Sequence, residues 1–177
     1  MKLPRIILPL LTLLALLNAC SSVNVQEYQD RTPCMVPEEF FNGDLTAFGI
    51  VKNRGGKVIR TFNADIKAYW SGNTGTLEED FIFDDGEKQR RVWTLKRQEE
   101  GHYIGTAGDV IGDAQGSVAG NSMFLKYVLD VPYGDGSIEL TIDDRMYLLQ
   151  THILINESQM TKFGLRVGEI VLVIVKK

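Results

Sequence analysis

Residues 58–70 read Val58-Ile59-Arg60-Thr61-Phe62-Asn63-Ala64-Asp65-Ile66-Lys67-Ala68-Tyr69-Trp70, and this stretch decides the fold class. Val58, Phe62, Ala64, Ile66, Ala68 and Trp70 share one parity, while Thr61, Asn63, Asp65 and Lys67 share the other. In an extended chain successive side chains point to opposite faces, so a period of two marks a strand with one buried and one wetted face. Working outward, the same alternation recurs through Leu77, Phe81 and Phe83, then through Met123, Leu125, Tyr127, Leu129 and Val131, then through Ile138, Leu140 and Ile142. Between these runs stand Asn53-Arg54-Gly55-Gly56, Asp84-Asp85-Gly86, Gly112-Asp113 and Tyr133-Gly134-Asp135-Gly136. Gly, Asn and Asp tolerate the positive φ that hairpin turns demand. About nine or ten strands and no long helix predict an all-β chain, an antiparallel barrel or a strongly curved sandwich. The last strand, Ile170 to Val175, is apolar on both parities. Burial of its outer side against a neighbouring element is the expectation; a surface for lipid or a protein partner is the alternative.

Ahead of the strands lies a different kind of sequence. Lys2 and Arg5 form a basic start, Ile6 to Leu17 are almost entirely apolar, and Leu17-Asn18-Ala19-Cys20 closes the segment. The apolar run is shorter than the ~20 residues a membrane-spanning helix needs, and it fits a secretory leader. A small residue directly before a cysteine is what lipid transfer to the thiol and cleavage before Cys20 require. Cys20 is therefore the expected lipidation site, its acyl chains anchoring the chain with ~0.8 kcal/mol per buried methylene. Ser21 follows rather than an aspartate, so the expected location is the outer membrane, with the domain on the periplasmic side. The expected division is a signal peptide over 1–19, the lipidated cysteine and a tether over 20–37, and one domain over 38–177. The tether assignment rests on the polar composition of residues 21–37.

Loss of Lys2 and Arg5 with the leader lowers 19 basic residues to 17, against 23 acidic ones. An acidic chain in that compartment is no partner for nucleic acid, and no basic face would hold it to anionic lipid. The chain after the leader is long enough to bury a real core as one domain. Lipidation of Cys20 leaves Cys34 without an intramolecular partner; it could pair with another molecule in an oxidising compartment.

Motifs that would carry catalysis are missing. Gly49 to Lys57 has the wrong spacing for a phosphate loop, and Val58 stands where a Ser or Thr must hold magnesium. Gly108, Gly112, Gly116 and Gly120 recur every four residues, but polar neighbours make them turn and small strand residues rather than a helix-packing stripe. Gly116-Ser117-Val118-Ala119-Gly120 does not place its serine as a nucleophile elbow does. His102 and His152, the only histidines, lie in separate predicted strands without ligand spacing, and Asp84-Asp85-Gly86 lacks the spaced oxygens of a calcium loop. No cofactor, metal or catalytic residue is expected.

Polar residues set into apolar strands remain. Glu79, Asp109, Asp143, Asp144 and Asn156 are candidates for a buried polar network, and Arg91, Tyr127 and Lys162 for binding a ligand's polar end. Burying a lone charge is costly, so inward-pointing members should be paired or line a wet cavity. Glu79 with Arg91 is the expected pair. Asp143-Asp144-Arg145 reads as an interruption of a strand, and Asn156 to Lys162 as a polar segment ahead of the final strands.

Glu79-Asp80-Phe81-Ile82-Phe83-Asp84-Asp85-Gly86 followed by Arg91-Val92-Trp93-Thr94-Leu95 resembles the domain of unknown function 3833 family of proteobacterial lipoproteins. The resemblance continues in Tyr103 to Gly112, in Asp143-Asp144-Arg145-Met146-Tyr147-Leu148 and in Asn156 to Gly164. It covers Phe40 to the C-terminus; Arg145 departs from the tryptophan that many members carry there. The family carries no assigned catalytic residues. Its members are often encoded near lipid-modifying enzymes such as cyclopropane-fatty-acyl synthase-like proteins, so the resemblance implies a lipid context. Three functions are compatible with these readings: a lipocalin-like barrel holding a fatty acid or other apolar ligand, a non-catalytic lipoprotein that docks an envelope protein, and an enzyme acting on lipid through Glu79, Asp109 or Asp144.

Overall fold

The computed structural model describes residues 23–99 and 101–177, and the leader and Cys20 lie outside the described residues. Ten antiparallel strands run in sequence order: β1 (Gly43–Asn53), β2 (Val58–Ser71), β3 (Thr74–Phe83), β4 (Lys88–Arg97), β5 (His102–Thr106), β6 (Val110–Ala119), β7 (Ser122–Tyr133), β8 (Gly136–Gln150), β9 (Ile153–Lys162) and β10 (Leu165–Lys176). Each pairs with its neighbour, and β1 pairs with β10 from Leu45 opposite Lys176 to Asn53 opposite Gly168. That last ladder turns the sheet into a closed, lipocalin-like barrel.

The parity of β2 is as the alternation predicts from Phe62 to Ala68, but Val58, beside a register shift against β1 at the start of the strand, is exposed. Phe62, Ala64, Ile66 and Ala68 are buried, while Thr61, Asn63, Asp65 and Lys67 are exposed. On the outer wall Arg90 bridges Asp80 and Glu78. A charged outside over an apolar inside is the reverse of a membrane-spanning barrel. Phe62 needs Gly49 across the β1–β2 ladder, because a Cβ at that position would lie 2.1 Å from the ring.

Several local expectations are corrected. Gly112-Asp113 forms no hairpin; it sits inside β6, where the pairing with β7 shifts register between Ile111 and Gln115 and Gly112 takes a φ of 72°. This is a bulge, where one strand holds extra residues against its partner. Asp143-Asp144-Arg145 does not interrupt β8, and Asn156 to Lys162 belong to β9, because inward polar side chains find partners there. The outer side of β10 is not covered. Val171, Val173 and Val175 stay half-buried beside Phe48, which is 52% exposed.

The segment ahead of β1 also differs from the tether that its composition suggests. A 3-10 turn at Val25–Tyr28, capped by Asn24, packs the Tyr28 ring against Phe124 and Tyr147 on the barrel's outer wall. The Met35 amide then donates to the Gly120 carbonyl at 2.7 Å. Met35 and a one-turn helix α1 (Pro37–Phe40) follow, and Phe40 and Phe41 are 3% exposed. These aromatics precede β1, so they sit at the end of the barrel where β1 starts and β2 finishes. Trp70 Nε1 donates to the Phe41 carbonyl at 2.9 Å, and the Tyr103 hydroxyl donates to Glu38 at 3.1 Å. Few but well-placed apolar side chains hold the segment, and they stopper this end.

Candidate functional site

The stopper leaves the opposite end, with the hairpins after β1, β3, β7 and β9, as the mouth. A cavity of about 340 Å³ runs down from it, within the usual range for small-molecule sites. Its walls are mostly apolar. Phe62, Phe81 and Phe83 cluster edge-on and stacked, with ring centres 5.6–6.2 Å apart, and Leu129, Ile170 and Leu172 face them. Lower down, Trp93 packs edge-on against Tyr127 at 5.2 Å.

A polar belt interrupts these walls. Strand alternation brings Glu79 (β3), Arg91 (β4), Tyr127 (β7), Asp144 (β8), and Asn156 with Ser158 (β9) to the inside, and Asp109 reaches in from the loop between β5 and β6. Arg91 stands across the ladder from Glu79, yet its hydrogen-bonded partner is Asp109: Nε and Nη2 fork onto the carboxylate at 3.0 and 2.6 Å. The expected Glu79–Arg91 ion pair is thus replaced by Arg91–Asp109, because a loop carboxylate can turn its edge to the guanidinium. Side chains on adjacent strands stand side by side and are poorly set for a fork. Tyr127 donates its hydroxyl proton to Asp144 Oδ2 at 3.0 Å. Ser158 lies beside the same carboxyl but donates to Asn156 Oδ1 at 3.0 Å, and Asp144 Oδ1 is left buried without a hydrogen-bond donor.

The electrostatics follow from this crowding. Burial pushes the Glu79 carboxyl up to about 7; Arg91 pulls it down, while Asp144 and Asp109 push it up further. Burial likewise raises Asp144, against the opposing pull of Ser158, Tyr127, Asn156 and Arg91. The Tyr127 hydroxyl is raised well above its ordinary value by burial and by Asp144. Burial works against the charge on Arg91, but Asp109 and Glu79 outweigh it and keep the guanidinium charged.

Of the residues picked out in the sequence, the fold gathers Glu79, Arg91, Asp109, Tyr127, Asp144 and Asn156 around one space. Asp143 is not among them: its parity puts it on the outer wall, paired with Arg145 at 2.9 Å. Lys162 sits at the mouth end of β9 with its ammonium 4.9 Å from the Phe163 ring centre, away from the cavity lining. Cys20 lies outside the described residues, and Cys34 is exposed. Sequence reasoning missed Ser158, whose inward parity with Asn156 was the available signal. It also missed Arg60, whose guanidinium lies 3.6 Å over the Phe83 ring at the mouth and bridges Asp85 and Glu87. Among the described residues no group of three His, Cys, Asp or Glu side chains is placed to hold a metal ion.

A family model described as a protein of unknown function, DUF3833, matches residues 14–176. No functionally curated protein matches the chain. Among solved structures, the S-type phycobiliprotein lyase CPES from Guillardia theta is similar, with a TM-score of 0.50 at 16% identity over 88% of this chain and 98% of that one. At that identity the likeness speaks to the barrel alone.

Proposed function

This chain belongs to the DUF3833 family, and we propose that it is an outer-membrane-anchored periplasmic lipoprotein whose barrel holds one small, largely apolar ligand. The observation that carries the binding reading is the cavity itself: about 340 Å³ of space, closed below by Phe40 and Phe41 and open above, with a belt of ionisable groups facing it. A purely structural barrel is better served by side chains filling that space. An unfilled cavity costs stability, and so does each buried charge that is imperfectly paired. A ligand with an apolar body and a polar end recovers both. The anchor and the location rest on Lys2, Arg5, the apolar run to Leu17 and Cys20.

The test is native mass spectrometry on the full chain carrying Cys20→Ser, so that no attached acyl chain can occupy the barrel, before and after solvent extraction. A discrete adduct of a few hundred daltons lost on extraction supports the binding barrel and identifies its ligand class. A bare mass with no uptake of added amphiphiles sinks it. That result would favour docking, the reading supported by the uncovered apolar strip of Phe48, Val171 and Val173 on the outer wall.

A further inference from the structure

We propose that the ligand's polar end is a cationic hydrogen-bond donor, an ammonium on an apolar body, and that Glu79 and Asp144 receive it; this rests on the binding reading above. The forked face of Arg91 and the Tyr127 hydroxyl, which would hold an anionic head, are already engaged, and among the described residues only Arg91 Nη1 and the Asn156 amide remain in the belt as donors without an acceptor. Arg91 directs Nε and Nη2 onto Asp109, and the Tyr127 hydroxyl donates to Asp144. Lys162 does not line the cavity. Two carboxyls are left open as acceptors. Asp144 is 8% exposed with its Oδ1 buried and lacking a donor, and among the described residues no side-chain hydrogen bond reaches the Glu79 carboxyl.

Charge points the same way. In the belt Glu79, Asp109 and Asp144 crowd the guanidinium of Arg91, and over the whole cavity four carboxyls, with Asp130, line it against two guanidiniums, Arg91 and Arg60 at the mouth. A carboxylate entering this belt meets like charge in a poorly solvated place, whereas an ammonium supplies both the missing charge and the missing N–H donors. The aromatic wall of Phe62 and Phe81 and the apolar face of Ile170 and Leu172 then accept the chain toward the mouth. One site for an anion exists elsewhere: Arg60, at the mouth, has a buried Nε without an acceptor. Its Nη2 is held by both Asp85 and Glu87, and a head group there would leave the belt unsatisfied.

The experiment titrates the full Cys20→Ser chain at pH 8 with decylamine, decanol, decanoate and decyltrimethylammonium, following tryptophan fluorescence, to which Trp93 at the cavity wall and Trp70 at the stopper contribute. Decylamine is expected to bind at least tenfold more tightly than decanoate. It should also outbind the trimethylated probe, which carries the charge without N–H donors. Glu79→Gln and Asp144→Asn should each weaken decylamine about tenfold, and the double variant should erase the preference while circular dichroism stays that of the barrel. Decanoate or decanol binding as tightly as decylamine, or decylamine binding untouched in the double variant, overturns the head-group assignment and leaves the binding barrel standing. Decanoate binding that Arg60→Gln abolishes would place an anion at the mouth instead, and it too overturns the assignment while leaving the barrel a binder. If none of the four probes binds, both the assignment and the binding reading fall.

Discussion

Arg91 and Asp109 close a forked ion pair, Nη2 to Oδ2 at 2.6 Å, between a strand and the loop after its neighbour, although Glu79 stands opposite Arg91 in the ladder. Glu79 is thereby left as a carboxyl near a cation it does not bond, beside two other carboxyls. Most of the site's behaviour follows from that arrangement.

Replacing Arg91 with Gln should destabilise the barrel by about 3 kcal/mol, because Asp109, Glu79 and Asp144 then share the space with no compensating cation. Asp109→Asn should cost less, since Glu79 remains to face the guanidinium. Urea unfolding at pH 7 measures both; equal, negligible losses would contradict the pairing.

Stability should depend on pH through Glu79. Its carboxyl titrates near 7 when folded and near its ordinary 4.5 when unfolded, so the folded state holds the extra proton between those values. The stability that comes from the raised value is fully present below about pH 4.5 and is lost as pH rises through 7, by up to about 3 kcal/mol for this group alone. Glu79→Gln removes that dependence. Thermal melts should show the variant near wild type at pH 5 and several degrees above it at pH 8, at about 2–4 °C per kcal/mol.

Tyr127→Phe leaves Asp144 Oδ2 without its donor in a place where Oδ1 already has none. The expected loss is about 1–3 kcal/mol at pH 8, with little change where Asp144 is protonated. The Trp93–Tyr127 ring contact survives the substitution, so an unchanged tryptophan emission serves as the control for packing.

Gly120 holds the N-terminal segment. It takes a φ of 52°, and a Cβ there would lie 1.8 Å from the Tyr28 carbonyl oxygen. Gly120→Ala should release residues 23–35 to limited proteolysis while the barrel persists, and cost about 1–3 kcal/mol. Gly134→Ala, at a φ of 58° in open space, carries the backbone strain without the collision and should leave the segment protected.

Asp143→Asn should change stability by less than about 0.5 kcal/mol and ligand binding not at all, since its partner Arg145 lies with it on the outer wall. A loss of binding comparable to that of Asp144→Asn would mean that the parity of β8 is misassigned.

The all-β character, most strand positions and the sorting of side chains into inner and outer sets were legible in the chain by itself, because alternation is a local property that needs no partner. Asp143 and Asp144, grouped in one expected network, differ in parity as neighbours, a signal that the reading of a strand interruption there obscured. The bulge at Gly112 was less visible, since a glycine beside an aspartate has the same local signature in a bulge and in a hairpin turn. Docking of Val25, Tyr28 and Met35 was hidden for another reason: single apolar residues in a polar stretch show no periodicity, and their burial depends on the groove at Gly120.

Residue order alone thus determined that this protein is a set of antiparallel strands with ionisable groups facing inward, behind a leader that reads as a lipidation signal. Tertiary structure alone decided that β1 meets β10, that Phe40 and Phe41 stopper one end, and that Arg91 turns to Asp109 rather than to Glu79. Closure and stoppering depend on contacts between residues far apart in the chain, and an ion pair depends on side-chain direction, neither of which a period of two encodes.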